Sequence, residues 1–232
     1  MGCCLLMDAL PQMSEHPLAE TFRHFVRDGG FPCVGAKAAL QRGGMRYVVA
    51  RDFRSAWDDL RILPELIAIG SDYRADPAPF QSLVVLFEHG QPASELQFEQ
   101  HLWNRLCSLS AKDQWLGHPA DKRVDHDPTS PHFAMSFGGE AFFVVGLHPL
   151  ASRPARRFSH CALVFNLHDQ FERLRADGRY GKLRDTILAR DVELAGSINP
   201  MLGQHGTVSA ARQYSGRAVD PDWQCPFPGR KP

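Results

Sequence analysis

The run Ala141-Phe142-Phe143-Val144-Val145-Gly146-Leu147 leads straight into His148-Pro149-Leu150-Ala151-Ser152-Arg153-Pro154-Ala155-Arg156-Arg157-Phe158. Its apolar opening has the length and the aromatic and β-branched content of a buried strand. Upstream, Phe133 to Phe137 and the pair Gly138-Gly139 complete a predicted hairpin with a glycine turn. Downstream, Cys161 to Phe165 reads as a second buried strand. The spacing therefore predicts three antiparallel neighbours, with a histidine and three arginines where the middle strand ends.

Further out, the pattern turns helical. Ser14 to Asp28 carries Leu18, Phe22, Phe25 and Val26 at helical spacing and can end at Gly29-Gly30. Phe31-Pro32-Cys33 opens a short helix through about Leu40. Met45 to Ala50 and Leu83 to Phe87 read as strands, and Arg54 to Ile69 as a helix that Pro64 should kink or split. Ser94-Glu95-Leu96-Gln97 matches a capping box, heading a helix with Leu96, Trp103 and Leu106 on one face that ends near Ser110. Residues 111–132 form the longest loop. Asp169 to Ala176 and Leu183 to Ala195 are helices ended by Gly178 and Gly196. No internal repeat or domain boundary shows. The class is α+β: one domain over residues 1–232, a mainly antiparallel or mixed sheet with packed helices, and residues 1–13 loosely ordered.

Composition excludes several functions. The 232 residues carry 26 basic and 26 acidic side chains, so the basic surplus expected of a nucleic-acid binder is missing. The longest apolar runs fall short of a membrane span. Met1 to Leu6 lacks the features of a signal peptide, and Leu6 breaks the myristoylation pattern that Gly2 begins. Cys3, Cys4, Cys33, Cys107, Cys161 and Cys225 form no C-x-x-C pair, and a reducing cytoplasm is expected. No Walker loop, dinucleotide fingerprint, H-E-x-x-H or G-x-S-x-G is present.

Several residues are candidates for chemistry. His148 stands at a strand end, its backbone restricted by Pro149, where an imidazole can bind iron or act as a base. Arg153, Arg156 and Arg157 can clamp carboxylates, or lie solvated on a surface loop. A histidine, several arginines and many phenylalanines suit heme, with its two propionates, better than zinc, which wants three or four protein ligands. His168 also follows a buried strand, with Asp169 and Glu172 near enough to orient its ring; the alternative is a polar helix cap. Cys33 is a nucleophile or iron ligand near a helix start, or a small buried filler. Asn199, Arg212, Gln213, Tyr214 and Arg217 offer directed hydrogen bonds, with Gly203, Gly206 and Gly216 for tight turns. They suit a pocket wall or an internally bonded coil.

These stretches together resemble the YqcI/YcgG family over roughly residues 22–227. The resemblance rests on Phe31-Pro32-Cys33, Gly146 to Pro149 with Arg153 to Phe158, Phe165 to His168 with Gln170 to Glu172, Gly196 to Pro200, Arg212 to Arg217, and Trp223 to Phe227. Understood members are heme-dependent N-oxygenases acting on the guanidine nitrogen of arginine-like amino acids. The resemblance thus implies heme b, dioxygen as co-substrate, an external electron donor and a small guanidine or amino-acid substrate, with a homodimer compatible. Ala210 stands where the family tends to carry Glu, and Leu167 where it tends to carry Pro.

On this reading His148 holds the iron, with His168 second in line, and Arg153, Arg156 and Arg157 neutralise propionates. Asn199, Arg212 and Tyr214 orient the substrate. Two other readings stand beside it: a heme-binding or gas-sensing protein without turnover, and a thiol enzyme centred on Cys33 with His148 or His168 as base.

Overall fold

The computed structural model describes residues 15–201 and 207–230. Cys3, Cys4, the acylation pattern, Gly203 and Gly206 lie outside them. Five strands form one mixed sheet: β1 (Met45–Asp52), β2 (Ser82–His89), β3 (Met135–Phe137), β4 (Glu140–Leu147) and β5 (Ala162–Leu167), in the order β1-β2-β5-β4-β3. β1 and β2 run parallel, joined by the helix α3 (Asp59–Ala75), and every other pair is antiparallel. The predicted α+β class and the hairpin are both present. At the hairpin tip Phe137 pairs with Glu140, while Gly138 and Gly139 hold φ of 58° and 78°. Two successive left-handed residues are what a tight hairpin turn demands, and glycine adopts them without strain.

The sheet is covered on both faces, and strand parity decides what each residue meets. Leu163, Phe165 and Leu167 of β5 join Phe142 and Val144 of β4 in the core under α3 and α4 (Glu95–Trp115). Ala162 and Val164 belong to the opposite face, under α1 (Pro17–Arg27). There Phe22 meets Phe158 edge-on at 5.3 Å. α2 (Val34–Gln41) follows, with the Cys33 thiol accepting from the Ala36 amide at 3.4 Å as its cap. Among the described residues, no helix is long and apolar enough to cross a membrane.

Three expectations need correcting. α3 runs through Pro64 without interruption. The carbonyl that Pro64 deprives of a donor is that of Leu60, a residue 69% exposed, where water can take over. α4 continues to Trp115, well past Ser110, so the long loop is shorter than expected. Leu96 is exposed; the buried stripe of α4 is Phe98, Leu102, Trp103, Leu106 and Leu109. The Ser94 cap forms, its Oγ accepting from the Gln97 amide at 3.1 Å, while Gln97 Oε1 accepts from the Ala93 amide at 2.6 Å, one residue before the position a capping box uses.

Candidate functional site

A cavity of about 580 Å³ lies between the second face of the sheet and two helices, α5 (His168–Ala176) and α6 (Tyr180–Ala195). Phe143, Val145 and Asn166 form its floor, and Leu183, Ile187 and Leu188 of α6 form its roof. Cys33 lines it beside α2, and Ala210 and Gln213 reach it from the C-terminal segment. A more open groove of about 680 Å³ lies outside, between residues 122–128 and 228–230, and shares Arg123 and Val124 with the cavity.

His168 enters this cavity because β5 passes into α5 without a connecting loop, and parity along β5 turns residues 164, 166 and 168 to the cavity side. Its side chain is 21% exposed, and Nε2 lies 3.7 Å from Glu172 Oε1 one helical turn on. Glu172 in turn accepts from Arg175 Nη1 at 2.5 Å. The Arg175 guanidinium lies 4.3 Å over the ring of Tyr180, and its buried Nε has no hydrogen-bond partner among the described residues. At the other end Arg123 binds Asp121, the fully buried Glu140, and Asp169. Asp169 also accepts from Tyr73 Oη at 3.1 Å and Arg173 Nε at 2.7 Å. Burial pushes the Asp169 carboxyl up, but the bonds from Arg173 and Tyr73 outweigh it and hold the group below its ordinary value. Burial raises the Cys33 thiol, and the amides of Ala36 and Gly35 and the charge of Arg156 do not reverse it.

His148 is elsewhere. It continues the parity of Phe142, Val144 and Gly146, so its ring turns toward α4 and stacks on Phe98 with centroids 4.1 Å apart. It is wholly buried, and among the described residues neither ring nitrogen has a hydrogen-bond partner. Burial lowers its pKa to about 4, with Glu95 opposing and Arg156 adding to the shift. His148 does not line the cavity.

The arginines that follow it are likewise not on the cavity wall. Arg153 pairs with Asp191 of α6 and donates to Ser197 Oγ at 3.0 Å. Arg156 donates to the carbonyls of Gly146 at 2.9 Å and Gln213 at 3.1 Å. Arg157 donates to those of Ala151 and Ser152. They stitch the connection from β4 to β5 onto its neighbours, because carbonyls that leave regular strands need donors.

The C-terminal candidates also bond internally. Asn199 Oδ1 accepts from the Met201 amide at 3.0 Å. Arg212 donates to the carbonyls of Asp220 and Val219 and lies 5.7 Å over Trp223. Tyr214 is buried against Trp103, and its hydroxyl donates to Phe142 O at 3.3 Å. Of that run, Ala210 and Gln213 line the cavity. The cavity instead takes its positive charge from Arg123, Arg175 and Arg184, which had no motif to mark them, beside the carboxylates of Asp169 and Glu172.

Among the described residues, no group of three or more His, Cys, Asp or Glu side chains is arranged to hold a metal ion. A porphyrin brings four nitrogen donors of its own and asks the protein for one imidazole, an apolar slot and cations at the edge. His168, the aromatic and aliphatic floor and roof, and the three arginines fit that demand. The model of the YqcI/YcgG family matches residues 22–228. No curated protein and no solved structure matches the chain.

Proposed function

This chain belongs to the YqcI/YcgG family, and from that premise we propose that it is a heme-dependent N-oxygenase acting on a nitrogen of a guanidino or amino-acid-like small molecule. The observation that carries the reading is the placement of His168 on the wall of a partly enclosed, largely apolar cavity edged by guanidinium groups. His168 is the residue proposed to hold the iron, in place of His148. Glu172 sets the orientation of its ring, as carboxylates behind a ligating histidine do. When bound, heme supplies dioxygen and one-electron chemistry that no side chain here provides.

The chain's own residues do the rest. Phe143, Val145, Ile187 and Leu188 line the cavity and would exclude water from a bound heme. Arg175, fixed by Glu172, presents its guanidinium edge to anionic groups of what is bound, while Arg123 is held by Asp121, Glu140 and Asp169 and ties the cavity wall together. Asn166 and Gln213 offer amide groups to a polar substrate, and Asn166 is itself held by Ser82 Oγ at 2.8 Å. Electrons come from an external donor. Cys33 shares the cavity, but its raised thiol pKa works against a thiolate nucleophile.

Absorption spectra of protein expressed with heme supplied test this. A Soret band that shifts on reduction and with carbon monoxide is expected for wild type and His148→Phe, and its loss or collapse for His168→Ala. Mass spectrometry for an oxygenated guanidine, with a reductant present, then separates turnover from mere binding. A colourless wild type that takes up no added heme overturns the proposal.

A further inference from the structure

The stripe of α6 that faces the cavity is Tyr180, Leu183, Arg184, Ile187 and Leu188. This spacing is that of a core-facing helix, in which each position should be apolar. Arg184 breaks the rule. Lys182, Asp185 and Thr186 of the same helix are exposed, so its outward face already carries the polar residues. Arg184 is half-buried and, among the described residues, makes no hydrogen bond or ion pair.

The nearby carboxylates are engaged with other cations. Glu172 binds Arg175, Asp169 binds Arg123 and Arg173, and Asp191 binds Arg153. A guanidinium withdrawn from water without a counter-charge is unfavourable, and an anion entering the cavity would relieve it. A second observation points the same way. The buried Nε of Arg175, which lines the same cavity from α5, also lacks a partner among the described residues.

We infer that Arg184 is a carboxylate-binding residue of the cavity, taking an anionic oxygen pair of the organic molecule bound beneath α6. This rests on the cavity being the ligand site of the proposed function. The carboxylate has two sources, a propionate of the cofactor or the carboxylate of an amino-acid substrate. Asp185, in the next position but facing solvent, gives a control for loss of a neighbouring helix charge, equal in size and opposite in sign.

Calorimetric titration of wild type, Arg184→Gln, Arg184→Lys and Asp185→Asn is the test. The probes are hemin and its dimethyl ester, and L-arginine and agmatine, which is arginine without its carboxylate. Loss of a charge-assisted pair in Arg184→Gln should weaken one acid by about 10- to 100-fold. The matching ester or decarboxylated probe should bind all variants alike, and Arg184→Lys should recover part of the loss. Loss confined to hemin identifies the propionate, and loss confined to arginine identifies the substrate carboxylate. Equal binding of both acids by wild type and Arg184→Gln overturns the assignment.

The Arg184 guanidinium Nε–H signal in NMR, followed with 4-phenylbutyrate against its amide, separates the two proposals. If neither hemin nor arginine binds but phenylbutyrate alone shifts that signal, the carboxylate site stands and the heme reading falls. If phenylbutyrate leaves it unmoved as well, the carboxylate site falls too.

Discussion

Acid should weaken this fold through His148. The ring is sealed between the end of β4 and Phe98, and among the described residues neither nitrogen has a partner to share a proton with. Glu95 and Arg156 are the charged groups that act on it, in opposite directions. Burial holds its pKa at about 4 against an ordinary 6.5. A base whose folded pKa is depressed favours folding while neutral, so the stabilisation is complete above about 6.5. As pH falls from there, the unfolded chain takes the proton and the folded one does not. The loss proceeds at about 1.4 kcal/mol per pH unit, reaching about 3 kcal/mol near pH 4, below which it levels. Urea unfolding of wild type and His148→Phe, measured from pH 7.5 to 4.5, isolates this group, since other titrations are shared. Wild type should lose about 2–3 kcal/mol more than the variant over that range. Curves that run parallel to within about 0.5 kcal/mol would refute the argument, whatever the variant's absolute stability.

Other perturbations have equally definite outcomes. Gly146→Ala would set a methyl 2.7 Å from Phe98 Cε1 and 2.8 Å from Leu102 Cδ1. Overpacking of that kind should cost about 1–3 kcal/mol in denaturant unfolding, and a neutral result would mean that α4 yields easily. Asp59 is buried beneath Arg105, Lys112 and Ser108. Asp59→Ala should therefore cost about 3–5 kcal/mol by the same measurement, by stranding the buried Arg105, and a cost below about 1 kcal/mol would show that the cluster is slack. Asp191 is the one buried residue of α6 and is held by Arg153. In Asp191→Asn, hydrogen exchange in α6 should quicken about 10-fold while β4 and β5 keep their protection; unchanged exchange would show that other contacts seat the helix.

The sheet was readable from short runs because each strand announces itself locally. Phe137 to Ala141 contains its own turn, and Leu83 to Phe87 needs no partner to be recognised. The helix ends followed the same way from Gly178 and Gly196, both with left-handed φ. The site was harder for a physical reason. His148 and His168 each close an apolar strand, so their local sequences look alike, yet parity sends one toward α4 and the other into the cavity. Which parity faces a cavity depends on Phe98 and on Leu183 to Leu188, far away in sequence. Arginines posed a similar problem. Arg156 looks like an anion clamp but serves three carbonyls, whereas Arg184 sits in an ordinary helical run and lines the cavity.

The strand order carries a lesson about synthesis. β5 is the last strand made, yet it sits in the middle of the sheet, between β2 and β4. Until Leu167 has left the ribosome, β2 can pair with β1 on one side only. Its other edge then offers Leu83, Val84, Val85, Leu86 and Phe87, each 0% exposed once folded, as a sticky template. The nascent chain thus spends the translation of some eighty residues with its most aggregation-prone edge open. Slow translation between β2 and β5 should lengthen that exposure, and a holding chaperone should shorten its consequences.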